Sequence, residues 1–378
     1  MTKYLIIGNG VAGTTAAQEI RKNDPQGQIT IVTEETTPFY SRIKLPDYIA
    51  GIAEQGDLII KKNQWYADQK IELKTGVKIT GIDSAKHQAI DHDRNVLEYD
   101  VLLIATGSSP FVPPIEGSTK HNVFTLRTVK DADSIVQASD NANNVAAIGG
   151  GLLGIEAAHA LIKRGLKVMI IEFFDRLLPR QMDNEGAVLL KNMLEKQGFE
   201  FRLGAKTKKV QGDNVVTGVE LESGEIIPAE LVLLSAGVRP NLDLPKALNI
   251  ETDMGVVVDA GMGTNIEGIY AAGDLVQFEK MNFCIWPEAQ EQGRVAGANM
   301  SGIKDSFKAI VPSNRLKVAG IDLGSAGDID PDGLYESEVE KSDTIYRKFV
   351  KKDGKLIGCI MLGDITGFSD AIKQMSAN

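Results

Sequence analysis

Apolar residues near the start of the chain form two short runs that flank a glycine-rich turn. The run Lys3–Ile7, "KYLII", has the length of one buried parallel strand. The segment Val11–Asn23 places alanine and isoleucine on one face of a helix, and Gln28–Thr33 is a second apolar run. The order strand, turn, helix and strand predicts a βαβ unit with a parallel sheet.

The same pattern of apolar and polar positions returns later in the chain. Val145–Ile148 is an apolar run that leads into a second glycine turn, and a helix is predicted to continue to about Lys163. Gly165 is placed to end that helix, and Lys167–Ile171 is the following strand. The chain therefore contains the same structural unit twice.

The first turn, Gly8-Asn9-Gly10-Val11-Ala12-Gly13, is a GxGxxG motif in the strand–helix context that dinucleotide binding requires. Gly8 permits the tight turn, Gly10 lets the backbone approach a pyrophosphate, and Gly13 lets helix and strand pack closely. Glu34 follows about 20 positions later, where a carboxylate accepts hydrogen bonds from ribose hydroxyls. The pattern predicts a dinucleotide site, with an ordinary glycine turn as the alternative.

The second turn repeats these positions with Gly149, Gly151 and Gly154, and Glu172 stands at the end of its second strand. Two such patterns predict two bound dinucleotides. Glu156 follows the last glycine in what we take to be the first helical turn, either as a polar partner of the nicotinamide end or as a charge on the helix dipole.

Glu172 also bears on which nucleotide the second unit binds. A carboxylate suits a free 2′-hydroxyl and repels a 2′-phosphate, so we expect NADH to be preferred and NADPH to be less favoured. Arg176 and Arg180 lie close by in the sequence and act against this preference.

Composition limits the remaining possibilities. The 378 residues carry a formal net charge of −10, with 43% hydrophobic and 24% charged residues, which is typical of a globular protein of two or three domains. The acidic balance argues against a nucleic-acid partner. Because no apolar run has the ~18 residues of a membrane helix, and the first run is too short for a signal peptide, we expect a cytoplasmic protein without a membrane partner.

Cysteine and histidine give no sign of a metal site. Cys284 and Cys359 are the two cysteines, and they lie far apart; four histidines are scattered. No ligand spacing is present, so we expect no metal.

Three further apolar runs end in small or acidic residues. They are Tyr99–Pro110 with Ala-Thr-Gly, Leu231–Asn241 with Ala-Gly, and Ile269–Val276 with Gly-Asp. Ligands of doubly wound folds sit at the carboxyl ends of such strands. Alone each run predicts only a strand-to-loop turn, but together they favour ligand-binding edges.

From Lys3 to about Asn299 the chain resembles the two-dinucleotide-binding flavoproteins, the pyridine nucleotide–disulfide oxidoreductases. The resemblance implies an α/β fold with two Rossmann-like domains, in which an FAD-binding domain (1–112 and 236–302) is interrupted by an NAD(P)H-binding domain (113–235). A small α+β C-terminal domain (303–378) follows.

The resemblance also implies the roles of individual residues. Gly8, Gly10, Gly13 and Glu34 would hold FAD, and Gly149, Gly151, Gly154, Glu156 and Glu172 would hold NAD. Further residues implied to line the FAD site are Arg42, Lys44, Ile79, Thr106, Gly107, Arg127, Gly273, Asp274 and Trp286. Gly237 would line the NAD side.

The disulfide reductases of this family carry redox cysteines after the first acid. Here that region, Pro38–Gly51, reads "PFYSRIKLPDYIAG" and contains no cysteine; Ile43 stands at the single-cysteine position. The motif resembles the non-thiol branch, most like the NAD(P)H:rubredoxin reductases and the FAD–NAD domains of nitrite reductases. We therefore expect no catalytic cysteine, with the chemistry supplied by FAD.

The C-terminal segment predicts a separate β-rich unit. Asp353-Gly354 is a hairpin signal, and a last helix is predicted over about Phe368 to Met375. The segment contains no histidine, so a general acid of that type is excluded there. An acceptor-docking or structural role remains for it.

The combined reading is an FAD-dependent oxidoreductase that passes electrons from NADH through FAD to a small electron carrier, with rubredoxin as the first candidate. Three alternatives remain open: an NADH oxidase that produces peroxide, the NADH-entry subunit of a larger redox complex, and a redox-sensing protein. A homodimer or a larger complex is compatible with each of them.

Overall fold

The computed structural model of the protein describes residues 1–309, 311 and 313–377, which form two compact units. The first unit comprises Met1–Ser41, Gln55–Ser109 and Val238–Ala309. The second unit comprises Arg42–Glu54, Pro110–Gly237 and Ile310–Asn378.

The first unit is built on a parallel five-stranded sheet. Its strand order is β19 (Ile269–Ala271), β7 (Val101–Ile104), β1 (Lys3–Ile7), β2 (Gln28–Thr33) and β3 (Ile71–Thr75). Smaller sheets pair β4 (Ile79–Asp83), β5 (Gln88–Asp91) and β6 (Val96–Glu98); β8 (Ser108–Pro110) and β17 (Val238–Pro240); and β18 (Val256–Val257) and β20 (Val276–Gln277). The helices are α1 (Val11–Asn23), α3 (Gln55–Leu58), α4 (Asn63–Asp68), α8 (Asp243–Ala247) and α9 (Trp286–Met300).

The second unit contains another parallel five-stranded sheet. Its strand order is β12 (Phe199–Arg202), β11 (Lys167–Ile171), β10 (Asn144–Ile148), β16 (Leu231–Leu234) and β9 (Val123–Phe124). A three-stranded sheet contains β13 (Thr207–Gln211), β14 (Gly218–Leu221) and β15 (Ile226–Pro228). The helices are α2 (Leu45–Ile49), which follows a 3-10 turn over Arg42–Lys44, α5 (Val129–Ser139), α6 (Leu152–Lys163) and α7 (Asn184–Glu195).

The C-terminal part of the second unit is an antiparallel sheet with one helix. The strand order is β21 (Ser313–Val318), β22 (Ile321–Gly327), β25 (Lys355–Leu362), β24 (Tyr346–Lys352) and β23 (Glu336–Lys341), and α10 (Phe368–Ser376) packs on it. Ile310, Pro312 and Asn378, which fall in the predicted C-terminal domain, lie outside the described residues.

The α/β fold class and the two βαβ units are confirmed. Both strands that enter a glycine turn are almost entirely buried, because helices cover parallel sheets on their faces. The hairpin is also confirmed: Asp353 and Gly354 have φ of 51° and 74°, which the tight turn between β24 and β25 requires. The last helix has the predicted position.

The segment Arg42–Glu54 belongs to the second unit, although we predicted it within the FAD-binding domain. Helix α2 packs against α5 and α6. The Tyr48 hydroxyl donates to Asp133 at 2.6 Å, and Arg164 donates to the carbonyl of Ile49 at 3.2 Å. These contacts attach the segment to the helices of the second parallel sheet. The boundaries of the three domains stay a prediction.

A buried polar cluster joins α7 to the C-terminal sheet. Asp183 caps α7 by accepting from the Gly186 amide at 3.0 Å. It also accepts from the Tyr346 hydroxyl at 2.6 Å, and the Lys348 ammonium lies 3.1 Å from it. Burial and the neighbouring carboxylate raise the pKa of Tyr346, so that its hydroxyl stays protonated. Asp183 thus pairs with a buried cation, whose ammonium also donates to the carbonyl of Asp330 at 2.8 Å.

We predict that Asp183→Ala lowers the free energy of unfolding by about 3–5 kcal/mol, because it removes the carboxylate paired with the buried Lys348 ammonium, the acceptor of the Tyr346 hydroxyl and the cap of α7. Chemical denaturation of the protein with its cofactors measures this effect. Glu185→Ala is the matched control, since the Glu185–Lys341 pair joins the same helix and sheet at the surface and should contribute less than about 1 kcal/mol. Equal losses in the two variants would contradict the prediction.

Candidate functional site

The first unit gathers its glycine-rich segments at one edge of its sheet. Strands β1, β7 and β19 are parallel neighbours, so their carboxyl ends meet there. The residues that follow these strands are Gly8, Thr106 and Gly273 with Asp274. Asp274 accepts from the Ser108 hydroxyl at 2.9 Å, which joins two of the three loops. This edge is where ligands bind in doubly wound folds.

The three glycines of the first turn are required for different reasons. A Cβ at Gly8 would lie 2.1 Å from the carbonyl oxygen of Ala105, and φ at Gly8 is 116°. A Cβ at Gly13 would lie 2.0 Å from the carbonyl oxygen of Gly8. At Gly10, by contrast, a Cβ would meet nothing within 4 Å. The outer glycines are fixed by the protein itself, and the middle one faces open space.

Helices α1 and α9 run side by side in the same direction. A Cβ at Gly293 would lie 2.8 Å from the Cα of Ala12, and one at Gly297 would lie 3.0 Å from the Cα of Ala16. At the far ends, the Asn23 amide donates to the Ser301 hydroxyl at 3.2 Å. Gly273 lies beside Ala12 in the first turn of α1 and Ala289 in the first turn of α9, and neither helix has a side-chain cap. Two helix dipoles present their positive ends to an anionic ligand.

Buried polar atoms without hydrogen-bond partners occur in the same segments. They are Nδ2 of Asn9, Oγ1 of Thr106 and both carboxyl oxygens of Glu288. Buried polar groups are rarely left unsatisfied, so each of these atoms indicates a missing partner. The opposite side of the Asn9 amide is occupied, since its oxygen accepts from Thr14 and Tyr66 at 3.2 and 3.0 Å.

The second unit repeats the geometry of the glycine turn. A Cβ at Gly149 would lie 2.2 Å from the carbonyl oxygen of Ser235, and φ there is 115°. A Cβ at Gly154 would lie 2.2 Å from the carbonyl oxygen of Gly149, and Gly151 again faces open space. Helix α6 begins after Gly151 with neither a side-chain cap nor an acidic residue in its first turn. The turn can therefore receive phosphates as the first one can.

The two acids at the ends of the second strands have different surroundings. Glu172 is buried, and its carboxylate accepts from the amides of Gly150 and Phe174. Glu34 is exposed and pairs with Lys78 at 3.3 Å. The same motif position is thus a fixed buried acceptor in one unit and a surface charge in the other.

Glu156 lies in the second turn of α6, one turn later than we predicted from the sequence. Its carboxylate accepts from the Ala319 amide, at the turn between β21 and β22, at 2.7 Å. Burial raises the pKa of Glu156, and the Ala319 amide partly opposes this effect. The carboxylate therefore links helix α6 to the C-terminal sheet.

Comparison with known protein families identifies both parts of the chain. Residues 2–293 match the family model "Pyridine nucleotide-disulphide oxidoreductase", and residues 312–377 match "Rubredoxin NAD+ reductase C-terminal domain". The chain belongs to the pyridine nucleotide-disulphide oxidoreductase family. This is a family of oxidoreductases that bind FAD and NAD(H).

Curated relatives span several activities. The chain is 35% identical to "Nitrite reductase [NAD(P)H]" of Bacillus subtilis, over 96% of this chain and 46% of the relative. It is 33% identical to "NADH oxidase" of Methanocaldococcus jannaschii, over 86% of this chain and 76% of the relative. It is 32% identical to "NADH-rubredoxin oxidoreductase" of Clostridium acetobutylicum, over 97% of this chain and 92% of the relative. The chain thus spans about half the length of the nitrite reductase.

Solved structures have the same fold. The NAD-dependent persulfide reductase from A. fulgidus has a TM-score of 0.92 at 27% identity, over 99% of this chain and 77% of that one. The covalent putidaredoxin reductase–putidaredoxin complex has a TM-score of 0.90 at 26% identity, over 100% of this chain and 93% of that one. The NADH:rubredoxin oxidoreductase from Clostridium acetobutylicum has a TM-score of 0.86 at 31% identity, over 100% of this chain and 95% of that one.

The residues of the chain fit both cofactors of this family. In the first unit, the open Gly10, two uncapped helix ends and the unpartnered polar atoms suit an extended anionic dinucleotide such as FAD. In the second unit, the open Gly151 and the fixed carboxylate of Glu172 suit NAD(H). Gly237, with φ of 94°, also faces open space.

Other predicted site residues are distributed over both units. In the first unit, Trp286 begins α9 with its ring 5.8 Å from that of Phe39, and Ile79 is buried at the start of β4. Gly107 has φ of 66° directly after Thr106. In the second unit, Arg42 donates to the carbonyl of Arg127 and Lys44 is exposed.

The cysteines and metal-ligating residues give no competing site within the described residues. Cys359 is buried in β25, and burial raises the pKa of its thiol to about 11, so it is a poor nucleophile at neutral pH. Cys284 is partly exposed. Among the described residues, no cluster of three or more His, Cys, Asp or Glu side chains is arranged to hold a metal ion. No helix in this part of the chain is both long and apolar enough to cross a membrane.

Two residues of the first unit were missed by the sequence analysis. Asn9 is a polar side chain inside the glycine turn, and its position between Gly8 and Gly10 was an available signal. Glu288 is an acid in the first turn of α9, where sequence alone suggests only a favourable helix charge. Its complete burial is visible only in the folded chain.

We predict that Gly149→Ala lowers the stability of the fold, whereas Gly151→Ala weakens NADH binding. Gly149→Ala adds a Cβ against the backbone at positive φ and should destabilise the fold by more than about 1 kcal/mol. Gly151→Ala has a permissive φ of −77° and open space, so its thermal stability should change little while the Kd for NADH rises about tenfold. Thermal unfolding and NADH titration measure the two effects. Unchanged NADH binding by Gly151→Ala would argue against this turn as the phosphate site.

Proposed function

We propose that this oxidoreductase passes electrons from NADH through FAD to a small electron-carrier protein, with rubredoxin as the first candidate. The observation that carries the proposal is the match of residues 312–377 to the rubredoxin reductase C-terminal domain, next to the nucleotide-binding units. The relative named for rubredoxin reduction extends over nearly the same length as this chain, which supports the same choice.

The chemistry that FAD supplies when bound is the acceptance of a hydride and the release of electrons one at a time. The protein binds and orients the cofactors. We propose that FAD is held by Gly8, Gly10, Gly13, Glu34, Arg42, Lys44, Ile79, Thr106, Gly107, Arg127, Gly273, Asp274 and Trp286. We propose that NADH is held by Gly149, Gly151, Gly154, Glu156, Glu172 and Gly237.

Glu172 supports a preference for NADH over NADPH. Its carboxylate is held beside Gly150 by two amide donors, so it cannot swing away from the turn without losing both hydrogen bonds. A 2′-phosphate near this fixed negative charge would be repelled, whereas a 2′-hydroxyl can donate to it.

Two other functions have specific support. The NADH oxidase relative favours direct electron transfer to oxygen, with peroxide as the product because this chain lacks a cysteine at the usual redox position. The nitrite reductase relative is about twice as long as the matched region, which favours an electron-entry part of a larger assembly.

The deciding experiment mixes the FAD-loaded protein with NADH and oxidised rubredoxin under anaerobic conditions. Both chromophores are followed in a stopped-flow spectrometer. Rapid flavin bleaching with many turnovers of rubredoxin is expected. Bleaching without rubredoxin turnover would reject this carrier while keeping the NADH–FAD reaction. Admission of oxygen with a peroxide assay then tests the oxidase, and co-purification of further subunits tests the larger assembly.

We predict that wild type has a kcat/KM at least about tenfold higher with NADH than with NADPH, and that Glu172→Gln reduces this ratio, because it removes the charge that repels the 2′-phosphate. Steady-state kinetics with a fixed acceptor measure both values. Glu200→Gln is the matched control, since it makes the same substitution at an exposed acid of β12 in the same sheet and should leave the ratio unchanged. A wild-type preference for NADPH would contradict the assignment.

A further inference from the structure

Glu288 is a buried acid without a partner. Its side chain lies in the first turn of α9, only 2% of the residue is exposed, and neither carboxyl oxygen has a hydrogen-bond partner. Other buried acids of the chain are satisfied: Glu172 accepts from two amides, and Asp330 accepts from the amides of Leu334 and Tyr335 at 2.7 and 3.0 Å. Glu288 therefore differs from them in lacking donors.

This environment favours the neutral form of the carboxyl. Burying an ionised carboxylate without donors or a cation costs several kcal/mol, so such groups usually hold their proton. Burial raises the pKa of Glu288, opposed only by its own backbone amide. A neutral carboxyl has an O–H donor, and that donor also lacks an acceptor within the described residues.

The location of Glu288 indicates what the acceptor is. Side chains of a helix lean toward its amino-terminal end, and Ala289, the residue after Glu288 in the first turn of α9, lies beside Gly273. One turn after Glu288, the Gln292 side chain accepts from the Gly273 amide at 2.9 Å. The carboxyl thus lies one turn from a residue that contacts the Gly273 loop, and it is unpartnered, as are the Asn9 amide nitrogen and the Thr106 hydroxyl.

We propose that Glu288 is a positioning residue for FAD, which carries its proton into the site and donates a hydrogen bond to the bound cofactor. This inference rests on the proposed binding of FAD by the first unit. A neutral donor satisfies an acceptor of the cofactor without adding a negative charge beside its pyrophosphate.

A purely structural role is less consistent with the contacts. An ionised acid in a first helical turn stabilises the helix through the dipole, and it normally does so at a solvated surface or as a cap of free amides. Glu288 has neither solvent nor a hydrogen bond to a neighbouring residue.

Other titratable groups on α9 and on the elements packed against it have partners or lie elsewhere. Strand β7 carries none, and Tyr270 on β19 is partly buried. On α9, Glu291 pairs with Arg294, which also binds Asp305. The titratable residues of α1 are Glu19, Arg21 and Lys22. Glu19 pairs with Lys22, and Arg21 donates to backbone carbonyls.

The test uses infrared spectroscopy and FAD titration of the full chain. Wild type should show the carbonyl stretching band of a protonated carboxylic acid, which shifts when FAD binds and is absent from Glu288→Gln. Glu288→Gln keeps an N–H donor, so its Kd for FAD should stay within about twofold of wild type. Glu288→Leu should raise that Kd at least about fivefold, as expected for one lost hydrogen bond.

Glu291→Gln is the matched control, because it removes an exposed acid from the same helix and should change neither the band nor the Kd. A wild type that binds FAD, with a band that FAD does not shift and a Glu288→Leu variant of unchanged Kd, would overturn the inference and leave the function intact. A wild type that does not bind FAD would reject the proposed function itself. If Glu288→Leu does not fold, the band shift in wild type and its absence in Glu288→Gln decide the matter.

Discussion

The close contact between α1 and α9 is the constraint on which the site of the first unit depends. Gly293 and Gly297 let the backbone of α9 approach that of α1 at Ala12 and Ala16, so that the two helices run parallel at short distance. A larger residue at either glycine would push the helices apart. Because the helices are parallel, their amino-terminal ends point the same way, and Gly273 lies beside Ala12 of α1 and Ala289 of α9.

In the second unit, a single helix, α6, begins at the glycine turn. Its glycine turn has nearly the same φ and the same backbone contacts as the first turn, which shows how narrowly sterics define this structure. The acids differ, however. Glu172 is fixed by amides in a buried position, whereas Glu34 remains in solvent. A buried fixed charge discriminates between ligands more strongly than a screened one, because solvent no longer weakens its field.

Buried polar contacts join the C-terminal sheet to the helices of the second parallel sheet, and their loss is expected to destabilise the fold. Asp183 caps α7 and pairs with Lys348, and Glu156 on α6 accepts from the amide of Ala319 in the turn after β21. A partner protein that binds the C-terminal sheet therefore contacts a structure joined directly to α6 and α7.

The sequence by itself determined the α/β class, both glycine turns, the C-terminal hairpin and the last helix. These features depend on local rules: the period of apolar residues, the steric needs of a turn and the φ values that glycine tolerates. The family resemblance followed from the same residues. Tertiary structure alone decided the placement of Arg42–Glu54 in the second unit, the contact of Glu156 with Ala319 and the isolation of Glu288. Burial and hydrogen-bond partners are properties of segments far apart in the chain, so no local pattern could predict them.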